Sequence, residues 1–397
     1  MKFEDTSMSP ALVKQGYYKV GEKFFNIKIN ATIEASRTKL PVEWYFYQDV
    51  FEAEIKKPRL DVPLSELYKQ RALQLRDKYD YLILAYSGGA DSDNVLKTFT
   101  KNNIKLDEVW CDQPFGLMDK ADYIPVLNTD ASNMPIEWFA VIEPELKALE
   151  KSNPEIKIHI SDSSYKMEVE DYDDTHLFSH SPTAYTSIRR YRYIVQYTHK
   201  LLEKNINACL IMGIDKTVPY MTNAGKYGFA FNDRATFHKS NIFLNKACIV
   251  ELFYWTPEFP SIPVQQAHNV WEVLLKNPEE SLHKIKKRNH EYENSFFYRD
   301  YQMDRRFMMD DEIKKICYPW WDFSKIQVNK SAGNLRNQQY AKLIEPFKRE
   351  RFYQSWLSST KNLLSVLDQN VAFNGRKQYD DDINYCSHVH YLGDLRL

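Results

Sequence analysis

The sequence predicts an α/β fold: a doubly wound, mostly parallel sheet with a small N-terminal element and a mostly helical C-terminal region. Three observations predict it. Tyr81-Leu82-Ile83-Leu84-Ala85-Tyr86 is an unbroken apolar and aromatic run, the pattern of a strand buried on both faces in the middle of a parallel sheet. Ser87-Gly88-Gly89 breaks that run, and Asp91-Ser92-Asp93 opens a stretch with Val95, Leu96 and Phe99 on one helical face. Strand-like and helix-like stretches then alternate as far as about residue 255, which calls for parallel strands with a ligand at their carboxyl ends.

Residues 1–62 read as a separate N-terminal α+β element. Tyr17-Tyr18-Lys19-Val20 and Lys23-Phe24-Phe25-Asn26-Ile27-Lys28-Ile29 flank Gly21-Glu22 and predict a hairpin, and the aromatic tract Trp44-Tyr45-Phe46-Tyr47 follows. Residues 63–255 carry the alternation. Pro63-Leu64-Ser65 starts a helix with Leu64, Leu67, Tyr68, Leu75 and Tyr79 on one stripe. After the central strand and its helix, Asn102-Asn103 marks a stop, and Ile104 to Cys111 predicts a second strand. Strand, helix and strand within roughly thirty residues suit a right-handed βαβ unit. A helix around Ile136 to Lys151, a third strand from Ile156 to Ile160, a helix from Thr186 to Lys204 and a fourth strand from Ala208 to Met212 continue the pattern. Pro257, Pro260 and Pro263 mark the boundary to residues 256–397, read as mostly helical from Val270 and ending in a surface tail from Asp380.

A chain of 397 residues that is 43% hydrophobic can bury a substantial core, and no run is long enough to cross a membrane. Met1-Lys2-Phe3-Glu4-Asp5 has no apolar segment behind a basic start, so no secretory signal is expected. The five cysteines (Cys111, Cys209, Cys248, Cys317, Cys386) are scattered without a C-x-x-C pair, which predicts a reduced, cytoplasmic protein. A net charge of -1 excludes a surface that is basic all over. It leaves local patches such as Lys284-Ile285-Lys286-Lys287-Arg288 and Lys348-Arg349-Glu350-Arg351, through which nucleic acid could act as a partner. With 27 Tyr, 22 Phe and 8 Trp, packing is the first reading of the aromatics and stacking on a flat substrate the second.

A strand, a glycine turn and a helix start together make an anion site. Glycines let the backbone approach an oxyanion, and the unpaired amides of a first helical turn point at it. Ser87-Gly88-Gly89-Ala90-Asp91-Ser92 resembles the SGGxDS pyrophosphate loop of the PP-loop ATP pyrophosphatases. That superfamily includes asparagine synthetase, GMP synthetase, NAD synthetase, tRNA-lysidine synthetase and the phosphoadenosine phosphosulfate reductases. The resemblance implies a Rossmann-like sheet of the adenine nucleotide alpha hydrolase type, ATP and Mg²⁺ as cofactors, and adenylation of an acceptor oxygen with release of pyrophosphate. An amine or ammonia would then displace AMP. No cysteine follows Met1, as the asparagine synthetase glutaminase would need, and no Gly-x-Cys-x-Gly elbow of the GMP synthetase kind is present, so no glutaminase domain of these two kinds is expected in this chain. The C-terminal region would select the acceptor, and oligomerisation is left open.

The resemblance assigns Ala85, Tyr86, Ser87, Gly88, Gly89, Asp91 and Ser92 to nucleotide binding. A carboxylate beside phosphates repels them, so Asp91 either helps to hold Mg²⁺ or orients the loop, and both roles stand. Ile188-Arg189-Arg190-Tyr191-Arg192-Tyr193 is similar to an A-R-x-x-R-Y segment of tRNA-lysidine synthetase, with Ile in place of the leading Ala. Arg189 and Arg192 share a helix face and could converge on one anion, or form a solvated basic face. In Met212-Gly213-Ile214-Asp215-Lys216, Gly213 and Asp215 would approach the nucleotide, and Lys216 could neutralise a phosphate. The tRNA-lysidine enzyme's His-His is missing there. Fold analogy places Asp112, with Gln113, at the base or ribose. Asp91, Arg192 and Lys216 are thus the candidate catalytic residues.

Two clusters carry less. The acidic run from Glu168 to Asp174 reads as a solvated loop before a Mg²⁺ site, and Cys386-Ser387-His388-Val389-His390 lacks zinc-knuckle spacing. Sulfur transfer or sulfonucleotide reduction on the same loop is the alternative chemistry. It is disfavoured by the absence of paired cysteines, Cys386 being isolated. A module that binds nucleotide without turnover is the third reading.

Overall fold

The structure, a computed structural model, describes Glu4, residues 16–26, 28–113, Phe115, 137–162, Ile194, 196–214, 217–222, 225–231, Asp233, 249–277, 311–324 and 387–395. The N-terminal element comprises strands β1 (Tyr17–Val20) and β2 (Lys23–Phe25), helix α1 (Lys28–Thr38), strand β3 (Val42–Tyr45) and helix α2 (Gln48–Ile55). β1 lies between β2 and β3, antiparallel to both. Lys28 and Ile29, expected to prolong the second strand, instead open α1. From there the buried positions follow helical spacing, with Ala31 and Ala35 both inside.

Helix α3 (Leu64–Lys78) has Pro63 at its N-cap and buries Leu64, Leu67, Tyr68 and Leu75, the expected stripe, together with Arg71. Strand β4 (Tyr81–Ala85), helix α4 (Ala90–Lys101) and strand β5 (Glu108–Gln113) follow, and α4 buries Val95, Leu96 and Phe99 as expected. The second strand starts at Glu108 rather than Ile104. The cause is Asp107, whose carboxylate accepts from the Leu82 amide at 2.8 Å and pairs with Arg76 at 2.5 Å, tying the preceding residues down as a connection.

A π-helical segment (Glu137–Ile142) runs into α5 (Glu143–Ser152), and β6 (Lys157–Asp162) follows. Residues 196–203 are helical; residues 186–193 and 195 of the expected helix lie outside the described residues. Strand β7 (Ala208–Met212) has the expected bounds and is buried throughout. Beyond it are β8 (Val218–Met221), β9 (Lys226–Ala230), β10 (Ile249–Leu252), α6 (Ser261–Leu274), α7 (Asp311–Cys317) and β11 (His390–Asp394). α6 begins well before Val270. Pro260 is its N-cap and Pro263 sits in its first turn, where a missing amide hydrogen costs nothing.

The result is an α/β fold. The five-stranded sheet has the order β10-β7-β4-β5-β6, parallel at every junction. The chain starts in the middle at β4, moves to one edge through β5 and β6, then returns across β4 to β7 and β10. Ala85 is level with Trp110 of β5 and Met212 of β7, so β4 and β7 end together at the start of the loop while β5 runs on to Gln113. α3 and α4 pack against each other and on β4. Among the described residues no helix is long and apolar enough to cross a membrane.

Of the surface tail expected from Asp380, residues 380–386 lie outside the described residues, and the part from Ser387 is tied down by a paired strand. β11 pairs antiparallel with β9, Ser387 exchanges hydrogen bonds with the Phe231 backbone at 2.9 Å, and His390 is 1% exposed. The described aromatics pack. Phe231 meets Phe46 at 5.0 Å, Phe51 at 4.5 Å and Trp255 at 5.1 Å between ring centroids, while His390 abuts Phe51, Phe229 and Phe231.

Among the described residues, neither ring nitrogen of His390 has a hydrogen-bond partner. Burial first, and then neighbouring His388, push its imidazole down to about 4 from 6.5. His388 itself faces Glu52 of α2 at 3.7 Å. Because the folded value lies below the unfolded one, this contribution to stability is complete above pH 6.5. It is lost as pH falls toward 4, at up to ~1.4 kcal/mol per pH unit. Urea unfolding at pH 7 and pH 5 checks this: His390→Phe should lose less stability over that span than the unaltered protein. Equal losses would show that His390 is not the group responsible.

Candidate functional site

The site is assembled where β4 ends. The Tyr86 amide still donates to Trp110 O at 2.8 Å, after which the chain leaves the sheet. Gly88 has φ +71, a left-handed conformation that a side chain resists. Gly89, at φ -79 and ψ 162, is the N-cap of α4, and its carbonyl accepts the Asp93 amide at 3.0 Å. As a glycine it has no side chain to cap the first turn, an arrangement also found at helix starts that bind anions. Among the described residues, a Cβ at Gly89 would meet only Ser87 Oγ, at 3.6 Å. Among these residues the space above Gly89 is therefore open.

The loop is braced from within. Ser92 is buried; its hydroxyl accepts from the Ser87 amide at 3.2 Å, donates to Gly89 O at 3.2 Å and lies 3.3 Å from the Ser87 hydroxyl. Ser92 thus shapes the loop, whereas Ser87 is exposed. Beneath the other glycine lies the π-helical segment: a Cβ on Gly88 would come within 2.6 Å of Ile142 Cγ1. Such π turns recur at functional sites.

Asp91 stands in the first turn of α4. Its carboxylate accepts a hydrogen bond from the Tyr318 hydroxyl and its carbonyl one from the Tyr254 hydroxyl at 2.8 Å. Tyr318 is completely buried; burial, reinforced by the Asp91 charge, raises its hydroxyl well above the ordinary tyrosine range, so it stays a donor. The second acid of the turn, Asp93, is fully buried, accepts from Tyr86 at 3.1 Å and pairs with Lys97 at 2.7 Å. Tyr86 therefore lies behind the loop as part of its support. Burial and then the Asp93 charge raise its hydroxyl.

Gly213 occupies the end of β7 for a packing reason. A Cβ there would lie 2.9 Å from Asp91 O and 3.1 Å from Ser92 Cα, so only glycine lets β7 end directly against the start of α4. Asp112 closes β5: it is buried, with Ser161 of β6 donating to it at 2.7 Å and Trp110 Nε1 donating to Ser161 at 2.9 Å.

The structure thus gathers Ala85 to Ser92 and Gly213 around one point, with Asp112 two positions beyond Trp110 on the neighbouring strand. Arg189, Arg192, Asp215 and Lys216 lie outside the described residues, as do the acidic run at 168–174, Cys386 and both basic patches. Among the described residues no group of three or more His, Cys, Asp or Glu side chains is arranged to hold a metal. Sequence reasoning missed Tyr254, Asn94, Tyr318 and Trp320. Asn94 Nδ2 donates to the Tyr254 hydroxyl at 3.0 Å, and the Trp320 amide donates to Asn94 Oδ1 at 3.2 Å. Nothing local marks these residues, because Asp91 and Tyr318 are 227 positions apart.

Compared with known proteins, the chain matches no protein-family model and none of the curated proteins.

Proposed function

We propose that this chain is an ATP-dependent enzyme of the PP-loop type, adenylating an oxygen of an acceptor, releasing pyrophosphate, and passing the activated acceptor to an amine or ammonia that displaces AMP. The observation that carries this reading is the open glycine cradle at the carboxyl end of the central strand, between Ala85 and α4. The strand order, running one way from β4 and then reversing to β7 and β10, supports a doubly wound, Rossmann-like sheet. In such sheets ligands bind where the order reverses, and the loop stands beside that reversal.

In this reading the first-turn amides and the Ser87 hydroxyl hold the outer two phosphates, while Ser92 and Tyr86 keep the loop in shape. The dipole of α4 adds positive potential at the same place. Of the two roles open to Asp91, holding the loop is the one its bond to Tyr318 supports. Mg²⁺, bound with the nucleotide, would neutralise charge on the leaving pyrophosphate. Arg189, Arg192 and Lys216 are the proposed cations near the phosphates, and Asp112, Asp215 and Gly213 the proposed neighbours of the nucleoside. Three buried cysteines, Cys111, Cys209 and Cys317, suit a reduced, cytoplasmic setting and give no support to thiol chemistry.

Incubation with ATP, Mg²⁺, candidate acceptors and ammonia or an amine is expected to yield pyrophosphate and AMP in equal amounts. Acceptor-dependent formation of ADP and orthophosphate would overturn the assignment.

A further inference from the structure

The segment after α7 is fastened to the loop helix and its surroundings at three points, although it lies more than two hundred residues further along the chain. Tyr68 of α3, itself receiving a bond from Gln266 at 2.8 Å, donates to Cys317 O at 2.7 Å. The Trp320 amide donates to Asn94 Oδ1, and the Tyr318 hydroxyl donates to the Asp91 carboxylate. Tyr254 completes the contact. Its ring lies 5.8 Å from that of Tyr318 and 5.3 Å from that of Tyr68, and its hydroxyl donates to Asp91 O. One carboxylate oxygen of Asp91, a partly exposed residue, is thus drawn toward a phenol with no exposure of its own. A charge-assisted hydrogen bond to a buried donor is strong enough to fix which way a short side chain points.

From this we infer that Tyr318 is a positioning residue for the phosphate cradle: it holds the Asp91 carboxylate back against the C-terminal segment, so that negative charge in the first turn of α4 does not oppose phosphate at the amides of Gly88 and Gly89. The inference rests on the nucleotide-binding reading above. It adds that the C-terminal segment sets the competence of the loop without touching the ligand. Acceptor contacts that shift this segment would then alter nucleotide affinity.

A mutant cycle read by ATP binding in Mg²⁺ separates positioning from general support. Tyr318→Phe keeps the ring and deletes the hydroxyl; it is expected to weaken ATP binding about tenfold, the scale of one charged hydrogen bond. In an Asp91→Asn background the same change should alter affinity less than about twofold, since the repelling charge is gone. Asp91→Ala, a favourable helix residue, serves as a second background in case asparagine distorts the turn. A hydroxyl that merely supports the fold would cost the same factor in every background. An equal loss with and without the Asp91 carboxylate therefore overturns the inference, as does an unchanged affinity for Tyr318→Phe alone. Failure of the unaltered protein to bind ATP at all would instead overturn the nucleotide reading.

Discussion

Replacing Arg71 by methionine is expected to lower the free energy of unfolding by about 3 kcal/mol, the cost of breaking a buried ion pair by removing one partner. Arg71 lies on the apolar stripe of α3 and has no exposed surface. Its guanidinium donates to Glu251 Oε2 at 2.9 Å, Gln74 Oε1 at 2.7 Å and Leu252 O at 3.3 Å, tying α3 to the edge strand β10. Burial by itself would raise the Glu251 carboxyl. The Arg71 charge, with hydrogen bonds from Tyr79 at 2.5 Å and Lys78 at 2.9 Å, more than offsets that and holds it below its usual value.

Methionine fills much of the same volume, so the loss measures the charge left behind rather than a cavity. Urea unfolding followed by tryptophan fluorescence reads it. The double variant Arg71→Met/Glu251→Leu should recover part of the loss, because it removes both charges together. A single variant within about 0.5 kcal/mol of the unaltered protein would show that Lys78 and Tyr79 satisfy Glu251 without Arg71. The consequence reaches the site, since β10 runs directly into Tyr254, whose hydroxyl bonds Asp91.

The parts of the fold that could be read from the sequence are those whose causes are local. An apolar run, two glycines and an amphipathic stretch define β4, the loop and α4 within about twenty residues, and β7 is a five-residue apolar run with no competing pattern. The parts that could not be read depend on distant partners. β11 has a modest strand pattern, and it is ordered by β9, more than 150 residues earlier. Arg71 on an apolar stripe looks like a break in the pattern until Glu251 is placed beside it. The prolines at 260 and 263 look like a boundary because a proline run commonly ends structure; here they start a helix. Within the site the glycine turn is legible from the break it makes between an apolar run and an amphipathic stretch, and the serines from the resemblance of the motif. The two tyrosines that hold Asp91 are not, because in a chain with 27 tyrosines no single one stands out.

The two glycines of the loop should fail in different ways when alanine replaces them, and the contrast tests the cradle more sharply than either change alone. At Gly88, with φ +71, alanine pays about 1–2 kcal/mol for its left-handed backbone. Its Cβ would also lie 2.6 Å from Ile142 Cγ1, a side chain that is itself fully buried and has little room to retreat. Gly88→Ala is therefore expected to lose about 2–3 kcal/mol of stability and at least tenfold in ATP affinity as the loop shifts. Gly89, at φ -79, accepts an alanine without backbone strain, and among the described residues the new methyl meets only Ser87 Oγ at 3.6 Å. Its stability should change by less than about 0.5 kcal/mol. On the proposed reading that methyl would stand where phosphate approaches the amides, so affinity should still fall about tenfold or more. Urea unfolding and ATP calorimetry on the two variants separate the cases. A stable Gly89→Ala protein that bound ATP as well as the unaltered one would mean that no phosphate enters the space above Gly89, and the activating chemistry would have to be sought elsewhere on the molecule.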